Sequence, residues 1–205
     1  MLPVVMAMKQ AIIKKLRKTE IYESNEAYLK VLYWFFSFPN DKVGLNDLSA
    51  DLKIAKTTAS KVVSQLVEEG FLIKEDLGNV WRISCNQVKD NNYTYSRKIG
   101  YNLIRVYESG ILNSIHEVIK NSRAIILFGS YRKGDDTEKS DIDIAVEILG
   151  DEDIKIYQLG ILPELGYRKN VPVNLHVFSR NKIDLNLFAN IANGIVLEGF
   201  LEVRP

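Results

Sequence analysis

Cysteine occurs once, at Cys85, which excludes an internal disulfide and any cysteine-built zinc cage. Such usage suits a reducing compartment, and a cytoplasmic location is the expectation. No apolar run approaches the about 20 residues of a membrane-spanning helix. The opening MLPVVMAM is apolar for eight residues only, and the basic cluster Lys14, Lys15, Arg17 and Lys18 follows it. A signal peptide has the opposite order, so neither secretion nor membrane attachment is expected. Neither sign of charge dominates: 27 Lys and Arg against 26 Asp and Glu leave a net charge of +1. Any basic footprint for nucleic acid must therefore be local. Repeats and low-complexity runs are missing as well. What is present in ordinary amount is apolar side chain, 46% of 205 residues, enough to build one large domain or two small ones around real cores.

Between Glu26 and Phe36, the residues Tyr28, Leu32, Phe35 and Phe36 recur at helical spacing, and Pro39-Asn40-Asp41 ends the run. Leu45, Leu48 and Leu52 predict a short second helix. After a turn at Lys53 to Ala55, the positions Ala59, Val62, Val63, Leu66 and Val67 form one apolar stripe that stops at Gly70. Phe71 to Ile73 and Val80 to Ile83 read as two strands joined by a turn containing Gly78-Asn79.

This order, with the string LSADLKIAKTTASKVVSQLVEEGFLIKE from Leu48 to Glu75, resembles the winged helix-turn-helix of many prokaryotic regulators. The resemblance implies that the third helix enters the DNA major groove by its N-terminal half. Lys56, Thr57, Thr58, Ser60 and Lys61, with Gln65 further along, would then face phosphates and base edges. It also implies a homodimer, because half-site spacing on DNA mirrors protein symmetry. Two features depart from the pattern. Glu75 and Asp76 at the wing tip would repel phosphates, with Lys74 and Arg82 beside them in partial compensation, and Ala55 stands where Ser or Thr would normally cap the helix.

Residues 86 to 123 read as a connector. Tyr93 to Ser109 predicts one helix; Ile111, Ile115, Val118 and Ile119 predict a second that leads into an apolar strand, Ala124 to Phe128. His116 lies on that second helix with no evident partner.

The most informative stretch follows: FGSYRKGDDTEKSDIDIAV, residues 128 to 146. The strand runs into Gly129-Ser130, and a basic, Gly-containing loop leads to Asp141 and Asp143. Residues two apart on a strand share a face, so these acids project together while Ile142, Ile144 and Val146 point into a core. Two adjacent carboxylates repel unless a cation neutralises them. Mg²⁺ (or Mn²⁺) is the simplest choice, a hard ion that brings phosphates with it. The backbone N–H groups and hydroxyl of the Gly-Ser turn suit those phosphates.

The Gly-Ser turn, basic loop and D-x-D together resemble the signature of the DNA polymerase β-type nucleotidyltransferase superfamily, closest to the minimal nucleotidyltransferase domains of bacteria and archaea. The resemblance covers roughly residues 95 to 200. It implies that Asp141 and Asp143 ligate metal, that Gly129 and Ser130 hold the β/γ phosphates of a nucleoside triphosphate, and that Lys133, with Arg132 as a second cation, offsets charge on departing pyrophosphate. The family supplies a third carboxylate from a later strand. That strand is placed at Pro172 to Phe178, where the expected Asp falls at Asn174. Asn is a neutral ligand and cannot take a proton at neutral pH. His176, two residues on, shares its face; it is either a substitute base or ligand, or a core histidine satisfied by a hydrogen bond.

The expected architecture is α+β: a winged helix-turn-helix with an N-terminal helix in residues 1–90, then connector helices and a nucleotidyltransferase domain in residues 91–205. The second domain is expected to be a small mixed sheet with helices on one face. Ile154, Tyr157, Ile161 and Leu165 predict a crossover helix, Asp184 to Ala192 another, and Gly194 to Leu197 a last short strand. The expected function is metal-dependent transfer of an NMP from an NTP to an acceptor, coupled to DNA or RNA binding. A DNA-binding transcriptional regulator with a nucleotide-sensing or degenerate transferase domain is the alternative. A helical partner protein, as in toxin–antitoxin-like pairs, is implied by the family only.

Overall fold

The computed structural model describes residues 25–78, 80–87 and 92–203. The basic cluster at Lys14, Lys15, Arg17 and Lys18 lies outside them. Helix α1 (Glu26–Ser37) starts where the Asn25 side chain accepts the Ala27 N–H at 3.0 Å, satisfying one of the free donors of the first turn. It buries Val31, Leu32, Phe35 and Phe36. Strand β1 (Lys42–Gly44), helix α2 (Leu45–Asp51) and helix α3 (Lys56–Glu68) follow. The α3 stripe Ala59, Val62, Val63 and Leu66 is buried, and Ala55 caps the helix with no side-chain hydrogen bond. Strands β2 (Leu72–Asp76) and β3 (Trp81–Cys85) form a hairpin, and β1 adds to its other side in the antiparallel order β1-β3-β2. These elements close on one core that includes Phe35, Leu48, Leu66, Phe71 and Ile83. Truncating a buried Phe such as Phe35 to Ala would cost about 3–5 kcal/mol.

Helix α4 (Asn92–Glu108) belongs to two cores at once. Tyr101 packs on Tyr33 and Phe36 in the first core, whereas Val106 lies in the second. Gly110, in the left-handed conformation at φ 79°, turns the chain into α5 (Ile111–Val118). His116 on α5 has a partner that sequence inspection did not find: its Nε2 lies 3.1 Å from Glu198.

The second sheet has five strands in the order β6-β7-β5-β4-β8. Interior strand β4 (Ala124–Phe128) is buried at all five positions and pairs antiparallel with β5 (Ile142–Ile148) and β8 (Ile195–Gly199). The short helix α6 (Gly129–Lys133) connects β4 toward β5. From β5 the chain crosses to the edge strand β6 (Lys155–Leu165) and returns as β7 (Arg168–Ser179), which inserts parallel to β5. Helix α7 (Leu185–Ala192) is capped by Asp184, whose side chain accepts the N–H groups of Asn186 and Leu187. Among the described residues no helix is long and apolar enough to cross a membrane.

Two expectations are corrected here. The segment holding Ile154, Tyr157, Ile161 and Leu165 is not a crossover helix but chiefly strand β6. Pro163 would remove a helical hydrogen bond and clash with the preceding turn, whereas an edge strand tolerates it. The helices are not confined to one face of the sheet. Alternate residues of β4 face two different cores: Ile125 and Leu127 meet α4 and α5, whereas Ala124, Ile126 and Phe128 lie in the core that contains Ile191 of α7. Unbroken burial along β4 is what a strand covered on both faces requires.

Candidate active site at the Gly-Ser turn and the acid pair

Residues directly opposite one another on neighbouring strands point to the same face of a sheet. Register therefore lines up Phe128 of β4, Asp143 of β5, Asn174 of β7 and Gln158 of β6 in one row. Helix α7 covers the inner part of this face, and Asp143 and Asn174 stay partly exposed at its open end. Asp141, just before β5, projects to the same side. The Asn174 amide joins the two acids: its Nδ2 lies 2.5 Å from Asp141 Oδ2 and 3.4 Å from Asp143 Oδ1. His176 comes within 3.4 Å of Asp143 through Nε2, and its ring meets Phe128 edge-on at 4.9 Å.

Gly129 adjoins the acids for two reasons. Its φ of 71° is left-handed, and a Cβ placed on it would sit 2.7 Å from Asp143 Oδ2. Only a residue without a side chain allows the turn and the carboxylate to approach so closely. Helix α6 begins here with Phe128 as its N-cap, which makes no side-chain hydrogen bond to the first turn. Ser130 is half-buried at the turn, Arg132 is half-buried on α6, and Lys133 is exposed.

The oxygen donors of Asp141 and Asp143 are of the kind a hard divalent cation takes. Among the described residues no trio of His, Cys, Asp and Glu is gathered into a metal cage. Mg²⁺ is commonly held by one or two protein carboxylates, with phosphate oxygens and waters completing the shell. Asp141 and Asp143 are the two carboxylates here that could hold such an ion. The Asn174 amide, turned about its last bond, would present its carbonyl oxygen instead of its NH₂.

A second group of residues contacts the segment between Gly129-Ser130 and Asp141, and sequence reading missed it. Asn102 of α4 donates to the Tyr131 carbonyl at 3.1 Å and to Asp136 Oδ1 at 2.6 Å. Lys98, one turn earlier, donates to the Asp136 carbonyl and lies 3.1 Å from its Oδ2. Both side chains of this ion pair are buried, at 5% and 3% exposure. Burial pushes the Asp136 carboxyl up and the Lys98 ammonium down, and their mutual attraction opposes both shifts. Buried Arg168 of β7 donates to the Tyr131 hydroxyl and to the Ser140 carbonyl. No periodicity marks these residues, because Lys98 and Asp136 stand 38 positions apart and each reads as an ordinary surface charge.

The α3 residues lie elsewhere. Lys56, Thr57 and Lys61 are exposed, and Thr58 and Ser60 are half-exposed. All but Thr58 line an open groove of about 610 Å³ with Asp47, Val80 and Trp81. Gln65 is engaged with Glu69 at 3.0 Å. At the hairpin tip Glu75 is paired with Arg82 at 3.3 Å, and the Lys74 ammonium lies 4.1 Å from the Trp81 ring centre.

Residues 113–198 match the family described as polymerase beta, nucleotidyltransferase. The match supports a nucleotidyltransferase domain in this part of the chain; it contains Gly129, Ser130, Asp141, Asp143 and Asn174, and it begins downstream of α4. No curated protein matches the chain.

Proposed function

We propose that the protein is a metal-dependent nucleotidyltransferase that moves an NMP unit from a nucleoside triphosphate to a hydroxyl-bearing acceptor, joined to a winged-helix module that contacts DNA or RNA. The observation that carries the reading is the convergence of Asp141 and Asp143 beside a turn so close that only Gly fits at position 129. In the reaction the acceptor oxygen forms a bond to the α-phosphorus, the bond from that phosphorus to the β-phosphate bridging oxygen breaks, and pyrophosphate leaves. Asp141 and Asp143 would hold Mg²⁺ or Mn²⁺, which when bound neutralises charge on the phosphates. Ser130 and the N–H groups of the α6 first turn bind the β/γ phosphates, and Arg132 and Lys133 offset charge on the leaving pyrophosphate. No third carboxylate stands in the row, so the acceptor proton passes to solvent or to His176.

For the first module, support comes from α1, α2 and α3 followed by a hairpin with β1 added to it, and from the exposed N-terminal half of α3. Lys56, Thr57, Thr58, Ser60 and Lys61 are the residues proposed to meet nucleic acid. A second reading is favoured by one observation, the neutral Asn174 hydrogen-bonded to both acids. In it the C-terminal domain binds nucleotide without turnover and regulates a DNA-binding homodimer.

The test is thermal unfolding of the wild type and of Asp141→Ala/Asp143→Ala with each of ATP, CTP, GTP and UTP, with and without Mg²⁺. A ligand at 100 times its dissociation constant stabilises by about 2.7 kcal/mol. A Mg²⁺-dependent rise in Tm that the double variant loses supports a nucleotide site; transfer of an α-labelled NMP then separates enzyme from sensor. No rise with any nucleotide would remove the site from consideration.

A further inference from the structure

The segment between Gly129-Ser130 and Asp141-Asp143 is held at both ends by one side chain. Arg168 donates to the hydroxyl of Tyr131, next to Ser130, and through its other terminal nitrogen to the carbonyl of Ser140, next to Asp141. The spacing between the phosphate turn and the acid pair is therefore set by a rigid planar fork. The middle of the segment is fastened to α4, where Lys98 and Asn102 grip Asp136 and Asn102 also holds the Tyr131 carbonyl. Burying an ion pair costs several kcal/mol of desolvation, and an apolar pair of similar volume would hold a loop at least as firmly. A polar clamp at this location is explained by placement of the chain, since hydrogen bonds define position where apolar contacts tolerate sliding.

We propose that Lys98 and Asn102 of α4 and Arg168 of β7 are positioning residues for the nucleotide and metal site, so that the working transferase unit of this chain begins at α4, upstream of the residues 113–198 that match the family. The proposal rests on the nucleotidyltransferase reading of the acid pair. Helix α4 is also tied to the first module. Arg97, adjacent to Lys98, donates to the Tyr28 hydroxyl at 2.8 Å and to Glu69 at 3.3 Å, next to the C-terminal end of α3. The element that fixes the acids is thus the one that faces the other core.

The experiment uses the full chain and three variants: Arg168→Lys, which keeps the charge but not the fork; Asn102→Ser; and Lys98→Met/Asp136→Leu, which replaces the ion pair with an apolar pair. Three quantities are measured: Tm without ligand, the dissociation constant of Mn²⁺ alone by electron paramagnetic resonance, and that of the Mg²⁺ complex of whichever NTP the wild type binds. The apolar double variant also takes an acceptor from Asn102 and a donor from the Asp136 carbonyl, so its Tm is recorded beside its affinity; it is expected to bind the Mg²⁺–nucleotide complex at least tenfold more weakly. Arg168→Lys and Asn102→Ser are expected to show the same weakening. Dissociation constants within twofold of wild type, whatever the Tm, would overturn the proposal and leave the clamp a purely structural one; the two single variants decide the matter if the double variant does not fold. A wild type that binds no Mg²⁺–nucleotide complex would instead overturn the transferase reading, and the positioning role with it.

Discussion

Asn174 stands between the two acids, with its Nδ2 2.5 Å from Asp141 Oδ2. A donor at that point offsets the repulsion between carboxylates that a third acid would increase. Asn174→Asp should therefore lower the Tm in EDTA, and Mg²⁺ or Mn²⁺ should restore it. Metal affinity should tighten at least tenfold, because a charged oxygen replaces a neutral amide. Titration with Mn²⁺ alone measures this directly; an unchanged affinity together with an unchanged Tm in EDTA would place the amide away from the acids in solution.

Gly129→Ala combines backbone strain with a clash. The left-handed conformation costs a non-glycine residue about 1–2 kcal/mol, and the new methyl would meet Asp143 Oδ2 at 2.7 Å. Urea unfolding should show at least that loss, and the nucleotide-dependent rise in Tm should disappear. A variant with full stability and full nucleotide response would contradict the geometry of the turn.

On α3, Lys56→Ala and Lys61→Ala test the nucleic-acid proposal. If each ammonium meets a phosphate, each variant weakens binding about equally for unrelated duplexes and reduces the slope of log K against log salt by about 1. Fluorescence anisotropy over a salt series reads both quantities. Slopes unchanged in both variants would take α3 out of the interface.

Cys85 is pushed up to about 11, mainly by burial, with the Lys98 charge a smaller effect in the opposite direction. Its thiolate should be about a hundredfold scarcer than that of a free thiol with the ordinary value, so alkylation by iodoacetamide at pH 8 should be slowed accordingly. The raised value also fixes the sign of the stability effect. The contribution is present below the ordinary value of 9.0 and is lost as pH rises through about 11. Chemical denaturation at pH 8 and pH 11 should show a fall in stability that Cys85→Ser reduces.

Much of the fold was legible along the chain because helices and strands leave different periods. The stripe from Ala59 to Leu66 and the apolar run from Ala124 to Phe128 coincide with a helix and a buried strand. Strand β6 was not. Ile154, Tyr157, Ile161 and Leu165 satisfy a helical period, and the contrary signals, Gly160 and Pro163, acquire weight only beside a β7 able to pair with that edge. The pattern from Asp184 to Ala192 marks helix α7 but not the face it covers, since a fully apolar strand does not say which element lies on either side.

The residue types that meet at the candidate site can be read directly from the chain. Gly129-Ser130 and Asp141-x-Asp143 are local patterns, and alternation along a strand is enough to put the two acids on one side. That Asn174 stands where a third carboxylate is expected follows from the resemblance to the nucleotidyltransferase superfamily and not from the local pattern. The contacts that hold those groups in place come from long-range packing. Lys98 meets Asp136 across 38 positions, and Arg168 reaches both Tyr131 and Ser140. Pairings of this kind depend on where α4 and β7 come to rest in three dimensions, and no residue near the motif encodes that position.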